Sequence, residues 1–152
     1  MPELDAIYIG TLDGKMESRS RLVIPAQHRE IIAAVYPEKK DVVWSIAEKR
    51  ANVPYILIFD SARLKAYWHL IDARELTKYE LDDQGRITLN LLQQVQANFK
   101  KGDSVKIVAL YDGEAFEIWN ADNFKDFTVD KRSLEQRLIS KLPPDNPIRS
   151  AI

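Results

Sequence analysis

Short apolar alternations separated by polar turns make up most of this chain, and stretches with helical spacing are few and brief. Residues 6–12 alternate weakly and predict an opening strand, with a turn at Asp13-Gly14. Arg21-Leu22-Val23-Ile24 reads as a second strand, closed by Pro25, which suits the first position of a helix because it has no N–H to leave unpaired. Residues 26–35 then carry Ile31, Ile32 and Val35 at helical spacing, and Pro37 with its charged neighbours predicts a loop. Residues 42–46 and 55–59 are β-branched and aromatic enough to be paired strands around a turn at 48–54. Asp60 or Ser61 can cap a helix whose apolar stripe is Leu64, Tyr67, Trp68 and Ile71.

The same plan then recurs. Residues 77–81 alternate, Asp82-Asp83-Gln84-Gly85 turns, and residues 86–89 return as a strand. A helix over 91–99 is expected to turn Leu92, Val95 and Phe99 to one face, and Lys101-Gly102-Asp103 stops it. Residues 105–110 and 115–119 flank Asp112-Gly113, a strong hairpin signal, and Asn120 caps a last short helix through Phe124 and Phe127. Beyond Lys131 come one amphipathic stretch (Leu134, Leu138, Ile139) and a proline-rich end, Pro143 to Pro147, expected to be flexible.

The two halves are one unit written twice. Met16 to Ile24 and Leu81 to Leu89, about 65 positions apart, share an apolar residue, an acid, three small or polar positions, an arginine and an alternating run. The late strands correspond as well, together with the helical segments after them: Ile58 to Lys65 against Ile118 to Lys125. Halves of this size have thin cores, so the expectation is two repeats sharing one core: residues 1–76, residues 77–130, and a C-terminal tail 131–152.

Composition narrows the class. The chain has 152 residues, 45% of them hydrophobic and 30% charged, which describes an ordinary globular protein. No apolar run is long enough to span a bilayer, and the acidic start lacks the pattern of a signal peptide. With no cysteine there is no disulfide framework and no thiolate metal site, and a cytoplasmic location is expected. Net charge is −1, but the segment 14–29 holds Lys15, Arg19, Arg21 and Arg29 against Glu17 alone. Such local charge, unlike the total, makes an electrostatic footprint for nucleic acid; a solvated hairpin rim is the plainer reading.

A strand, an acid-x-x-Gly-Arg turn, a strand and a helix, duplicated, resembles the swapped-hairpin barrel of AbrB-type regulators, and in this doubled form the MraZ family of bacterial transcriptional regulators. Leu81-Asp82-Asp83-Gln84-Gly85-Arg86-Ile87 fits the family's Asp-x-x-Gly-Arg motif without a gap. Leu22-Val23-Ile24-Pro25-Ala26 with Arg29-Glu30, and Ala115-Phe116-Glu117-Ile118-Trp119, match its strand–proline–helix segment and late strand. The first motif departs, with Glu17 for the aspartate and Ser20 for the glycine; alternatively Leu12-Asp13-Gly14-Lys15 begins it. In the second repeat Asn90 stands for the proline and Gln93-Gln94 for Arg29-Glu30.

The resemblance implies a mixed α+β, mainly β fold: a swapped-hairpin, double-psi-like barrel built from two repeats with short helices. It also implies a DNA-binding regulator, nucleoid-associated, that contacts double-stranded operator DNA with short repeats as a homo-oligomer, ring-like in the family's manner. Candidate DNA-binding residues are Lys15, Arg19, Arg21, Arg29 and Arg86. Asp82, Asp83 and Gly85 form the structural turn, Gly85 supplying a positive φ. Arg86 has two readings, a fork bracing the turn on Asp82 or Asp83, or an arginine reaching phosphate or guanine. Arg19 and Arg21, with one acid nearby, favour DNA contact.

No catalytic spacing occurs: no phosphate loop, no nucleophile elbow and no paired-histidine metal motif, so neither an enzyme nor a cofactor is expected. His28 and His69 lie alone on separate helical segments, and Trp44, Trp68 and Trp119 suit core or interface packing. The alternative function is an antitoxin-like or assembly module that uses the fold without DNA and binds a protein partner through residues 131–152.

Overall fold

A computed structural model of the chain describes residues 11–35, 37–100, 102–110, 114–124 and 130–150. Most of the expected opening strand, the Asp112-Gly113 turn and the helix end at Phe127 lie outside the described residues. In chain order the elements are β1 (Thr11–Lys15), β2 (Arg21–Val23), α1 (Ala26–Val35), β3 (Val42–Arg50), β4 (Val53–Asp60) and α2 (Ser61–Tyr67). The second half follows the same order: β5 (Leu76–Glu80), β6 (Arg86–Thr88), α3 (Leu91–Ala97), β7 (Ser104–Ala109) and β8 (Phe116–Asn120), then α4 (Leu134–Ser140) and α5 (Pro147–Ser150). The expected α+β composition, mainly strand with short helices, is what the structure shows.

Six strands form one antiparallel sheet in the order β1-β7-β8-β4-β3-β5, and β2 pairs with β6 in a separate ribbon. Exchanging each strand for its counterpart in the other repeat reverses this order without changing it. The repeats are therefore related by a pseudo-twofold axis, and each lends its opening strand to the other: Thr11 to Lys15 pair with Val108 to Ser104, and Leu76 to Glu80 with Ile46 to Val42. The axis runs beside Leu57 and Glu117, which lie opposite each other on β4 and β8.

Both faces of the central strands are covered. Along β4, Ile56 and Ile58 face one apolar cluster with Met16, Leu22, Ile87 and Phe116, while Tyr55, Leu57 and Phe59 face another with Trp119 and Leu134. Strands buried on both sides read as apolar runs, which is why residues 55–59 show little alternation.

α4 closes the second cluster. Ser133 and Gln136 form a capping box at its start. Leu134, Leu138 and Ile139 are buried, and buried Arg137 pairs with buried Glu117, which also takes Arg50. Asp130 joins them at 3.7 Å from Arg50 and 3.6 Å from Arg137. Partial burial alone raises the Asp130 carboxyl, but Arg132 and Arg137 outweigh it and push the pKa down to about 2. The amphipathic stretch thus packs on the chain's own sheet. Nor is the proline-rich end loose: α5 follows it, and Arg149 donates to the carbonyl of Leu142 at 2.7 Å.

Other expectations need correcting. Asp13-Gly14 does not turn; both lie inside β1, paired with Lys106 and Val105. The turn at 48–54 shrinks to Ala51 and Asn52, at φ 51° and 68°, because a two-residue hairpin with both residues left-handed matches strand twist. α2 ends at Tyr67, and Trp68, placed on its inward stripe, is 54% exposed. Leu92 and Val95 face solvent instead of the core, while Phe99 is buried. Gln93 sets that rotation of α3: its side-chain carbonyl accepts from Ser45 Oγ at 2.8 Å and the Tyr79 hydroxyl at 2.6 Å, bonds that an outward Gln93 forfeits.

Candidate nucleic-acid interface

The second turn is held by its own acid. Asp82 Oδ1 accepts the N–H groups of Gln84 and Arg86, each at 2.9 Å, and Oδ2 accepts Arg86 Nε at 2.8 Å. Gly85 closes the turn at φ 73°, donating its N–H to the Asp82 carbonyl at 2.9 Å. The Arg86 N–H, then its guanidinium, hold the Asp82 carboxyl below the usual carboxylate range. Arg86 also meets a second carboxylate, Glu17 of the first turn, at 3.6 Å. Asp83 is exposed and lines a groove of about 430 Å³ with Arg29, Lys40, Asp41 and Asp82.

The first turn shares the closing backbone bond of the second without its side-chain bracing. The Glu17 N–H donates to the Arg21 carbonyl at 2.8 Å, as that of Asp82 does to Arg86 at 2.9 Å. That bond fixes the register: Glu17 to Arg21 is the counterpart, and the alternative start at Leu12 falls inside β1. Arg19 and Ser20 adopt φ 59° and 61°, a left-handed conformation that costs a side chain energy and that a glycine takes at one position of the second turn. Arg21 Nε donates to the Ser18 carbonyl, at 3.3 Å. Among the described residues Lys15, Arg19 and Arg21 make no ion pair, and Lys15 and Arg19 are exposed.

Ribbon pairing brings the two turns into one site. Arg21 lies opposite Thr88 and Val23 opposite Arg86. The Ile24 N–H donates to the Gly85 carbonyl and the Leu89 N–H to the Ser20 carbonyl, both at 2.9 Å. The helices behind them repeat the relation. Arg29 Nε donates to the Ile24 carbonyl at 2.9 Å, and Gln94 Nε2 to the Leu89 carbonyl at 2.8 Å. Gln94, with Val95, is thus the counterpart of Arg29-Glu30, one position later than the sequence alone suggests.

The departures from the motif offset each other in pairs. Arg29 lies so close to Gly85 that a Cβ there would sit 2.4 Å from its Cδ, so a side chain at Gly85 requires the arginine to shift, on top of the positive φ. Across the axis the shorter Gln94 leaves room for Ser20, whose Oγ donates to Gln94 Oε1 at 2.9 Å. Glu17, Ser20 and Gln94 are not among the site residues expected from sequence; the common offset of the substitutions is the signal that points to them.

Arg21, Arg29, Arg86, Asp82 and Gly85 therefore gather around one ribbon, with Lys15 and Arg19 on its first-repeat side. The arrangement offers exposed cations on a strained turn beside a braced one. Among the described residues no group of acids, histidines and cysteines could hold a metal ion.

No family model matches the chain. A transcriptional regulator MraZ of Oenococcus oeni is 25% identical over 134 residues, spanning 81% of this chain and 87% of its own length. The protein of that name from Leuconostoc mesenteroides is 26% identical over 134 residues, with 82% and 88% covered. That of Chromobacterium violaceum is 29% identical over 136 residues, with 80% and 86% covered. Five curated proteins bearing this one name match at 24–29% identity over about four fifths of the chain, and they bear out the resemblance carried by its motifs: the chain is similar to the MraZ transcriptional regulators.

Proposed function

We propose that the protein is a DNA-binding transcriptional regulator that grips double-stranded operator DNA through the first-repeat turn. One observation carries this reading: Arg86 takes the carboxylates of both turns, Asp82 and Glu17, which leaves Lys15, Arg19 and Arg21 without an ion pair among the described residues. Cations with no internal partner are available to phosphates. Arg19 and Arg21 carry the fork geometry for phosphate or the guanine edge, and Lys15 and Arg29 flank them. Arg86 acts as a brace in this reading, with Asp82 and Gly85. A backbone held left-handed at two non-glycine residues is the kind of strain that collects at working sites.

The exchange of opening strands supports a swapped-hairpin barrel of two interlocked repeats, residues 1–76 and 77–130, with 131–152 added as a covering segment. Few cations per chain give weak binding, so a homo-oligomer acting on repeated sites is part of the proposal. Leu91, Leu92 and Val95, between 65% and 76% exposed, form an apolar ridge suited to contact with a second copy. The competing reading, an assembly module recruiting partners through 131–152, loses support because α4 spends its apolar face on its own sheet. No helix among the described residues is long and apolar enough to cross a membrane.

Anisotropy with duplex DNA from upstream of the protein's own gene, carrying short direct repeats, tests the proposal. Affinity should fall by about a hundredfold or more between roughly 50 and 200 mM salt as counterions are released. Binding that ignores salt, or no binding at low salt, contradicts it.

A further inference from the structure

On the opposite face of β3 from α3 lies a cleft of about 410 Å³ that the DNA-binding reading does not use. Trp44 and Trp68 line it with Val42 and Leu64. Trp44 is fixed in place, its indole N–H donating to Ser61 Oγ at 2.9 Å, while Trp68 is 54% exposed. Lys39, Lys65 and Lys78 stand around these apolar walls, and among the described residues no acid lines the cleft. Lys78 has one exposed pairing, with Glu80 at 3.5 Å; Lys39 and Lys65 have none among the described residues.

The pseudo-twofold axis supplies a control within the same molecule. Trp44 and Lys78 are cross-strand neighbours on β3 and β5. Their counterparts on β7 and β1, Lys106 and Asp13, are neighbours too, and they neutralise each other in an ion pair of 2.5 Å. Where the second-repeat site closes on itself, the first-repeat site replaces the acid by a lysine and the lysine by an indole. Apart from the exposed Lys78–Glu80 pairing, its charge has no partner among the described residues.

We propose that this cleft receives an acidic segment of a partner protein, an apolar side chain lodging between Trp44 and Trp68 and flanking carboxylates meeting Lys39, Lys65 and Lys78. Three cations with no lining acid select an anionic occupant. The aliphatic walls of Val42 and Leu64, and the absence of any arginine fork, suit a side chain better than a base and phosphate. Walls this exposed cannot enclose a small molecule as a ligand pocket does. Lys78 lies on β5, which ends the six-stranded sheet, so an extended segment has a strand edge to run along.

The test uses the full chain and a fluorescein-labelled peptide with a central phenylalanine–leucine pair flanked by aspartates and glutamates. Anisotropy should show saturable micromolar binding. Trp68→Ala, and separately the triple change Lys39→Gln, Lys65→Gln, Lys78→Gln, should each weaken it by about tenfold or more. Arg19→Ala with Arg21→Ala should leave it unchanged, which separates this site from the DNA-binding proposal. The substituted cleft side chains are all exposed, so unchanged melting curves should confirm intact folds. Absence of peptide binding to the unaltered protein overturns the proposal, as do cleft variants that bind like it. So does a Trp68→Ala protein with a smaller oligomer, which assigns the cleft to a second copy, or cleft variants that lose duplex DNA instead of peptide.

Discussion

The turns at 17–21 and 82–86 occupy equivalent places about one axis and share a closing backbone bond, yet they are held in different ways. The second turn satisfies itself: its aspartate accepts three bonds, its glycine takes the positive φ, and its arginine is held between two carboxylates. The first turn has surrendered its acid to the other's arginine and keeps two left-handed residues without glycine. In the proposed reading, duplication lets one copy hold the geometry while the other is freed for contact. A single motif has to do both, and bonds that brace an arginine compete with bonds it offers to a ligand.

The largest effect should come from the axis itself, where Leu57 of one repeat lies against Glu117 of the other. Arg137→Leu strips the buried Glu117 of a main partner and should cost about 3–5 kcal/mol in urea unfolding. The double change Glu117→Leu, Arg137→Leu, which makes the second repeat resemble the first, should recover most of that. A double variant no more stable than the single one would mean that α4 is held by something other than this pair.

Next comes the paired substitution behind the turns. Gly85→Ser places a side chain at φ 73° against Arg29 and should destabilise by about 2–3 kcal/mol. Adding Arg29→Gln rebuilds the Ser20–Gln94 arrangement and should return at least about 1 kcal/mol of coupling. Additivity of the two changes would show that their co-occurrence is coincidental.

A smaller effect distinguishes the helices. His28, stacked on Phe116 at 4.4 Å, has its pKa lowered by burial from the ordinary 6.5 to about 4; its counterpart Gln93 does not titrate. Because the unfolded chain takes up that proton first, stability should be full above pH 6.5 and fall as pH drops towards 4. His28→Phe should flatten the urea midpoint across that window. An unchanged slope would place the titration elsewhere.

Much of the fold was legible in the sequence because it is local or repeated. The offset of about 65 residues, the Asp-x-x-Gly-Arg turn and the Asp60 cap each rest on neighbouring residues. Partners distant in sequence were not legible. That β1 pairs in the other repeat, or that Arg50 meets Glu117, depends on which surfaces come together after the local elements exist. Periodicity failed at Leu92 and Val95 because one buried amide, Gln93, outweighed an apolar stripe in setting the helix rotation. At the site, the charge of the first turn could be read directly. The direction in which Glu17 leans, across to Arg86 instead of back to Arg21, could not, though it decides which arginines are left for a ligand.

The division between the turns is tested most directly by measuring duplex affinity and melting temperature for two variants side by side. Arg19→Ala with Arg21→Ala should bind operator DNA more weakly by about 1–3 kcal/mol for each base-contacting arginine while melting like the parent. Arg86→Ala should lower the melting temperature with a smaller loss of affinity. An Arg86→Ala protein that melts normally but no longer binds, beside a double variant that binds like the parent, would reverse the roles of the two turns.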